Sequence, residues 1–184
     1  MSQVAAKRMT VDEFLLWAES REGKWELHDG SVVAMAPERA RHSLVKAYAI
    51  SALVNAVGRA KAPCRVYADG LAIRVKKHLM FRPDVVVVCP GASPNEQATS
   101  APLIAVELLS PSSAPIDRGL KLESYFSLAS LAHYLILDPD RRALTHHRRA
   151  PDGSIEPHLY RDGPLRLDPP GIDLDVEDLF GPAD

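Results

Sequence analysis

The chain has 184 residues, 46% of them hydrophobic and 25% charged, which is the size and composition of one ordinary globular domain with its own core. We therefore expect a single domain over residues 1–184. The net charge of −2 argues against a uniformly basic nucleic-acid binder, because residues 93–184 hold 8 Lys/Arg against 15 Asp/Glu. Two cysteines, Cys64 and Cys89, are too few and too far apart for a disulfide framework or a cysteine-based zinc site. Neither a signal peptide nor an apolar run of the roughly 20 residues that a membrane span needs is recognisable, so we expect a cytoplasmic protein.

The first elements carry clear local signals. Residues 10–19 predict a short helix with Thr10 as its N-cap and Glu13 as the capping-box partner. Two strand-like runs between residues 24 and 35 flank Asp29 and Gly30, which predicts a hairpin with a type I′ turn. Apolar residues then recur at helical spacing from 38 to about 61, which predicts the longest helix, with an apolar face that includes Leu44 and Val54.

Strand-like runs dominate the remainder, interrupted by one helix predicted at 116–128. The predicted strands cover 65–75, 82–89, 103–109, 133–138, 143–149, 156–161 and 165–167, and a short closing helix is expected over 172–180. The pattern predicts an α/β fold with a mixed, curved sheet flanked by helices. We expect the hairpin at 24–35 and the strands after residue 143 to extend that sheet.

Two acids interrupt buried strands. Asp84 opens the run Val85–Val88, and Glu107 lies within the apolar run 103–109. Antiparallel pairing that sets Val88 opposite Leu103 also sets Asp84 opposite Glu107, with Cβ atoms about 4.5–5.5 Å apart. Two carboxylates at that distance repel unless a cation lies between them, and their hard oxygen atoms suit Mg²⁺ or Mn²⁺. Either acid alone is equally explained as a turn cap or as the partner of a nearby Lys or Arg.

Lys121 is the candidate for the positive group that phosphodiester cleavage requires. It follows the Glu107 strand by one loop, on the helix predicted at 116–128. The alternative is a surface salt bridge with Asp117 four residues earlier, worth a few tenths of a kcal/mol. The basic stretch from Arg74 to Arg82 is equally explained as a phosphate-binding face and as a solvated strand edge. The segment His146 to Arg149 is better explained as a solvated strand, because alternation separates His146 from His147.

Several short motifs, taken in order, resemble a known family. They are the segments 25–30 (WELHDG), 82–84 (RPD), 106–113 (VELLSPSS) and 133–139 (HYLILDP), together with Asp117, Lys121 and Tyr125. Their order and spacing over residues 10–150 resemble a large bacterial restriction endonuclease family of the PD-(D/E)XK nuclease superfamily. The resemblance implies a restriction-endonuclease-like fold.

Carried onto this chain, the resemblance makes Asp84 and Glu107 the two acids that bind the metal. The lysine of the superfamily motif is replaced by Leu109, and the resemblance implies that Lys121 has taken its place. It also implies that Glu26 is a third acid near the metal and that His42 positions water or phosphate. Alternatively, Glu26 is a solvent-facing strand residue and His42 has a structural role at its helix terminus.

These observations predict a Mg²⁺- or Mn²⁺-dependent endonuclease that acts on DNA and forms a homodimer, because pairing adds DNA contacts to a small domain. Two other hypotheses remain open. Leu109 and the absence of an obvious basic face are consistent with a nuclease-fold scaffold that has lost catalysis. A repair or RNA nuclease would use the same chemistry on another substrate.

Overall fold

The computed structural model describes residues 8–110 and 114–182. Within them the strands form two large sheets and one hairpin pair, with the orders β2-β1-β5-β4-β7, β11-β10-β9-β8-β6-β3 and β12-β13. The bounds of the strands are β1 Trp25–His28, β2 Ser31–Ala34, β3 Arg65–Ala68, β4 Ala72–Lys76, β5 Leu79–Phe81, β6 Val85–Val88, β7 Ala98–Thr99, β8 Pro102–Leu108, β9 His133–Asp138, β10 Ala143–Arg149, β11 Ile155–Tyr160, β12 Pro164–Leu167 and β13 Ile172–Asp175.

The six-stranded central sheet is mixed, because β8 and β9 run parallel while its other neighbours are antiparallel. The predicted register between the two acid-bearing strands is confirmed by Val85 opposite Val106 and by the next two pairs. Continued by one position, it places Asp84 opposite Glu107. At the other end of β6 the predicted pairing of Val88 with Leu103 is wrong, since a register shift pairs Val88 with Pro102.

The predicted hairpin is confirmed, with both turn residues at positive φ: Asp29 at 50° and Gly30 at 82°. It does not extend the central sheet, however. It pairs with β5 in the second sheet, so that expectation is wrong. The single strand predicted over 65–75 is also wrong, because the chain turns around Gly70 and places β3 and β4 in different sheets. The strands after residue 143 do extend the central sheet, as expected.

Helices cover the sheets. They are α1 Val11–Glu19, α2 Ala40–Ala60, α3 Ala114–Ile116, a π-helical turn Asp117–Lys121, α4 Leu122–Phe126 and a 3₁₀ turn Val176–Leu179. The predicted capping box of Thr10 and Glu13 is present. In α2, the predicted apolar positions Leu44 and Val54 are exposed. The prediction of a helix over 172–180 is wrong for the first half of that segment, which forms β13. None of the helices within the described residues is long and apolar enough to cross a membrane.

Two apolar layers enclose the central sheet. One lies between the sheet and α2, and includes Leu53, Val85 and Val106. The other lies between the sheet, the second sheet and the segment 114–126, which we call the site helix, and includes Phe81 and Tyr125. A disulfide was not predicted from the sequence. Cys64 and Cys89 form a disulfide with a Cα–Cα distance of 4.2 Å, since β3 and β6 are neighbours in the sheet.

A buried histidine pair joins β9 and β10. His133 and His146 are 0% and 2% exposed, so the prediction of a solvated strand is wrong at His146. The Nε2–H of His133 donates to the carbonyl of Pro169 at 2.9 Å, so its Nδ1 accepts from the Nε2–H of His146, also at 2.9 Å. His133 must be neutral in this arrangement, because its Nδ1 accepts a hydrogen bond. Burial lowers the pKa of His133 to about 4 and that of His146 to about 3.

We expect this pair to make the fold acid-sensitive. Both folded-state pKa values lie below 6.5, so the unfolded chain binds protons first and stability falls as the pH drops below 6.5 toward 4. Two histidines at about 1.4 kcal/mol per pH unit each give a loss of roughly 2–3 kcal/mol between pH 6.5 and 5. Urea unfolding at several pH values measures this slope. A His146→Leu variant, whose remaining buried ring can still protonate, should lose about half of it, and an unchanged slope would contradict the assignment.

Candidate active site

Asp84 lies just before β6, where a neighbouring backbone N–H, an imidazole and a lysine ammonium hold its carboxylate. Its Oδ2 accepts a hydrogen bond from the Leu108 N–H at 2.8 Å. Its Oδ1 contacts the Nε2 of His42 at 3.0 Å and the Nζ of Lys46 at 2.9 Å. Burial raises the pKa of Asp84, but the hydrogen bond from His42 and the charge of Lys46 together bring it down to about 2. Asp84 is therefore ionised at any physiological pH.

Glu107 and Lys121 form the second part of the site. The Lys121 Nζ lies 3.0 Å from Glu107 Oε1, and the Tyr125 hydroxyl donates to the same oxygen at 2.8 Å. The π-helical turn brings Asp117, Lys121 and Tyr125 onto the sheet-facing side of the site helix, where all three are buried. Burial raises the pKa of Glu107 well above its ordinary value, against the lowering effect of Lys121.

Lys121 is surrounded by acids. Besides Glu107, its ammonium contacts Glu26 Oε1 at 3.1 Å and Asp117 Oδ1 at 3.4 Å. Burial lowers the pKa of Lys121, but these three carboxylates raise it far above its ordinary value, so the side chain is a permanent cation. The predicted contact between Lys121 and Asp117 exists, but it is buried and therefore is not the surface salt bridge considered as the alternative.

Glu26 faces the same space from the second sheet. It is 5% exposed and not the solvent-facing residue of the alternative hypothesis. Its Oε1 accepts from the Arg82 N–H at 2.9 Å, and its Oε2 contacts the Nε2 of His28 at 2.8 Å. Burial raises the pKa of Glu26, but His28 and Lys121 lower it by more, so the pKa lies below its ordinary value. β1 thus holds an ionised carboxylate against Lys121 from the side opposite Glu107.

A third group comes from the start of α2. Glu38, His42 and Lys46 recur every four residues, and the last two lie on successive turns of the helix. The Lys46 Nζ contacts Glu38 Oε1 at 2.6 Å and Asp69 Oδ2 at 3.0 Å in addition to Asp84. Oxygen or nitrogen atoms of Glu38, His42 and Asp84 lie within 4.8 Å of one another.

A cavity of about 200 Å³ connects these groups, and its lining includes Glu26, Asp84, Glu107 and Lys121. A second cavity of about 400 Å³ adjoins it at Ala36 and Ser110 and reaches Glu38 and His42. The five residues singled out from the sequence, Glu26, His42, Asp84, Glu107 and Lys121, therefore meet around two connected cavities.

Comparison with known protein families identifies the family of this chain. The model of the Uma2 family, described as "Putative restriction endonuclease", matches residues 11–177. The chain belongs to the Uma2 family. The resemblance inferred from the short motifs is thereby confirmed, over a longer span than those motifs cover.

The chain is also similar to individual proteins. Two proteins of Synechocystis sp., both named only as uncharacterized, are 27% and 24% identical to this chain. The first match covers 79% of this chain and 77% of the relative, and the second covers 83% and 87%. A crystal structure from Anabaena variabilis, described as "a putative nuclease belonging to DUF820", superposes with a TM-score of 0.71 at 18% identity. It covers 94% of this chain and 97% of that one, and so confirms the predicted fold class.

The donor set of this Uma2 protein fits a divalent cation. Glu38 and Asp84 offer carboxylate oxygens, which suit Mg²⁺ or Mn²⁺, and His42 offers an imidazole nitrogen, which suits transition-metal ions better than Mg²⁺. Within the described residues, the acids of the site outnumber its permanent cations. The acids are Glu26, Glu38, Asp69, Asp84, Glu107 and Asp117, and the cations are Lys24, Lys46, Arg82 and Lys121. A divalent cation would balance the excess negative charge.

Three members of the site, Glu38, Lys46 and Asp69, were not predicted from the sequence. The spacing of four between Glu38, His42 and Lys46 was the available signal, because it places three polar residues on one stripe of a helix. Asp69 gave no signal beyond a turn-forming pair with Gly70. In the basic stretch from Arg74 to Arg82, Arg74 pairs with Asp12 and Arg82 donates to the backbone of Asp69, while Lys76 and Lys77 are exposed.

Proposed function

We propose that this Uma2 protein is a metal-dependent endonuclease that hydrolyses phosphodiester bonds in DNA. The observation that carries the proposal is the meeting of Asp84, Glu107 and Lys121 around one cavity. An ionised carboxylate, a second carboxyl group and a permanent cation line that cavity together. This is the combination that phosphodiester hydrolysis requires: a site for a divalent cation and a fixed positive charge near the reacting phosphate.

Asp84 is the central ligand in this proposal, with Glu38 and His42 on one side and Glu107 on the other. A bound Mg²⁺ or Mn²⁺ lowers the pKa of water and neutralises the phosphate. Lys121 stabilises the charge that develops on the phosphate oxygens, and Glu107 and Glu26 hold its ammonium in place. The Tyr125 hydroxyl fixes Glu107 by donating to its Oε1.

A cleavage assay tests the proposal. Purified protein should nick or cut plasmid DNA with Mg²⁺ or Mn²⁺ and not with EDTA, and assays on linear, single-stranded and RNA substrates define the substrate class. Calorimetric titration with Mn²⁺ should give a binding signal that Asp84→Ala removes. Equal Mn²⁺ binding by the wild type and by Asp84→Ala would contradict the assignment of the metal site.

A nuclease-fold scaffold without catalysis is the second candidate. The specific observation in its favour is Leu109, which stands where the superfamily motif has lysine and lies at the rim of the larger cavity. A scaffold of this kind would still bind DNA or a protein partner, but it would cleave no substrate with any divalent cation. The assay above separates the two functions, provided that DNA binding is measured on the same samples.

We further propose that the chain acts as one nuclease domain and assembles into a homodimer. Two-fold dimers are the commonest oligomers, and pairing gives a domain of 20.1 kDa a longer contact with a DNA duplex. Light scattering at micromolar concentration is expected to give twice the chain mass. A mass near that of one chain would remove the dimer from the proposal and leave the site unchanged.

A further inference from the structure

Lys46 is a buried cation at the edge of the candidate metal position. It lies on α2 and is 7% exposed. Its Nζ contacts three carboxylates, those of Glu38 at 2.6 Å, Asp84 at 2.9 Å and Asp69 at 3.0 Å. Lys121 binds a separate set of acids, Glu26, Glu107 and Asp117. The site thus has two lysines with separate partners, and of the two it is Lys46 that contacts the Glu38–His42–Asp84 group.

The contacts of Lys46 occupy the oxygen atoms that a metal ion would use. Asp84 Oδ1 already contacts Lys46 and His42, while Asp84 Oδ2 is bound by a backbone N–H. Glu38 Oε1 accepts from both Lys46 and Lys24. A divalent cation between Glu38, His42 and Asp84 would therefore lie close to the Lys46 ammonium, and at this degree of burial two positive charges repel strongly.

We propose that Lys46 is a positioning residue that competes with the divalent cation for Asp84 and Glu38 and so sets the metal affinity of the site. Asp69 makes the competition reversible, because it lies outside the donor group and retains the ammonium when Asp84 and Glu38 turn to the metal ion. The inference rests on the proposed function, since it concerns the same metal position. It adds that competition by Lys46 weakens metal binding in this chain.

A purely structural role for Lys46 gives a different expectation. If the lysine only neutralised three acids, its removal would destabilise the fold and would leave intrinsic metal affinity unchanged or weaker. Competition instead makes the neutral variant bind the metal more tightly. It also makes the thermal stability of that variant depend more steeply on the metal ion, because the ion then replaces the missing charge.

The test is a calorimetric titration of the whole chain with Mn²⁺. Lys46→Met keeps the length and apolar stem of the side chain but removes its charge. We expect this variant to bind Mn²⁺ at least about 10-fold more tightly, because a buried positive charge next to the ion is removed. Lys24→Met is the matched control. Lys24 contacts the same Glu38 and Asp69 oxygens, but its side chain is 45% exposed and does not reach Asp84. We expect less than about a 3-fold change there, because solvent screens the charge.

The other possible outcomes test the Lys46 proposal and the proposed function separately. Unchanged or weaker Mn²⁺ binding by Lys46→Met overturns the proposal, and so does equally tighter Mn²⁺ binding by Lys24→Met. In either case, Mn²⁺ binding by the wild type still supports the proposed function. Absence of Mn²⁺ binding in the wild type and in every variant overturns both. Lys46→Gln replaces the Met variant if that variant fails to fold in EDTA, with the same expectation. Lys46→Arg retains the charge and should keep the wild-type affinity, and a gain in that variant as large as the one expected for Lys46→Met would also overturn the proposal.

Discussion

Asp84→Asn is expected to reduce DNA cleavage by roughly 10³-fold or more, the scale of losing one essential electrostatic group in an active site. Asparagine has the shape of aspartate but no charge, and a single carbonyl oxygen replaces two carboxylate oxygens as metal ligands. The loss should appear as a fall in kcat at saturating Mn²⁺ together with much weaker Mn²⁺ binding. Both follow from the position of Asp84 between His42, Lys46 and the Leu108 N–H.

The fold should survive this substitution. The amide carbonyl of the substituted side chain can still accept from the Leu108 N–H, and Lys46 keeps Glu38 and Asp69 as partners. We therefore expect a loss of about 1–3 kcal/mol in the free energy of unfolding, the usual cost of removing a charged hydrogen-bond partner. Asp162→Asn, at an exposed site outside the residues that line the cavities, is the matched control and should retain full cleavage. Cleavage by Asp84→Asn at the wild-type rate would contradict the proposed function.

Local signals in the sequence predicted the parts of the fold that depend on neighbouring residues. The Asp29-Gly30 turn, the Thr10–Glu13 capping box and the long helix were all found this way, because each is determined within a few positions. The opposed placement of Asp84 and Glu107 was also predictable, since burial of the two antiparallel strands restricts their register.

Assembly of the strands into sheets was not predictable from the same signals. Nothing local indicates that β1 pairs with β5 instead of joining the central sheet, because that choice depends on how the two layers pack around Phe81 and Tyr125. The disulfide between Cys64 and Cys89 was missed for a similar reason, since it depends on β3 and β6 becoming neighbours.

Buried polar residues were the main gap in the prediction of the site. Lys46 and His146 were missed because polar residues are normally assigned to solvent, and each is buried here through contacts with residues far away in the chain. Lys121 was found from its place one loop after the Glu107 strand, and the family resemblance implied the same residue. Its orientation relies on the π-helical turn, an irregularity that sequence periodicity does not reveal and that often accompanies functional sites.

Lys121→Met is expected to abolish cleavage and to destabilise the fold at the same time. Removing the ammonium leaves Glu26, Glu107 and Asp117 close together with their common cation gone, and breaking a buried charged network of this kind costs about 3–5 kcal/mol. Mn²⁺ binding should be retained or strengthened, because lysine is not a metal ligand and its loss makes the cavity more negative. Urea unfolding with and without Mn²⁺, cleavage kinetics and calorimetry measure the three effects on one preparation.

Two comparisons separate catalysis from folding in this variant. Lys77→Met removes an exposed lysine outside the site and should change neither stability nor cleavage by a measurable amount. Adding Glu26→Gln to Lys121→Met removes one of the uncompensated acids, so the double variant should be more stable than Lys121→Met alone, by about 1 kcal/mol or more. Its cleavage should remain absent, because the positive charge near the phosphate is still missing. If the double variant recovers cleavage along with stability, then Lys121 only holds the fold together and the catalytic role assigned to it is wrong.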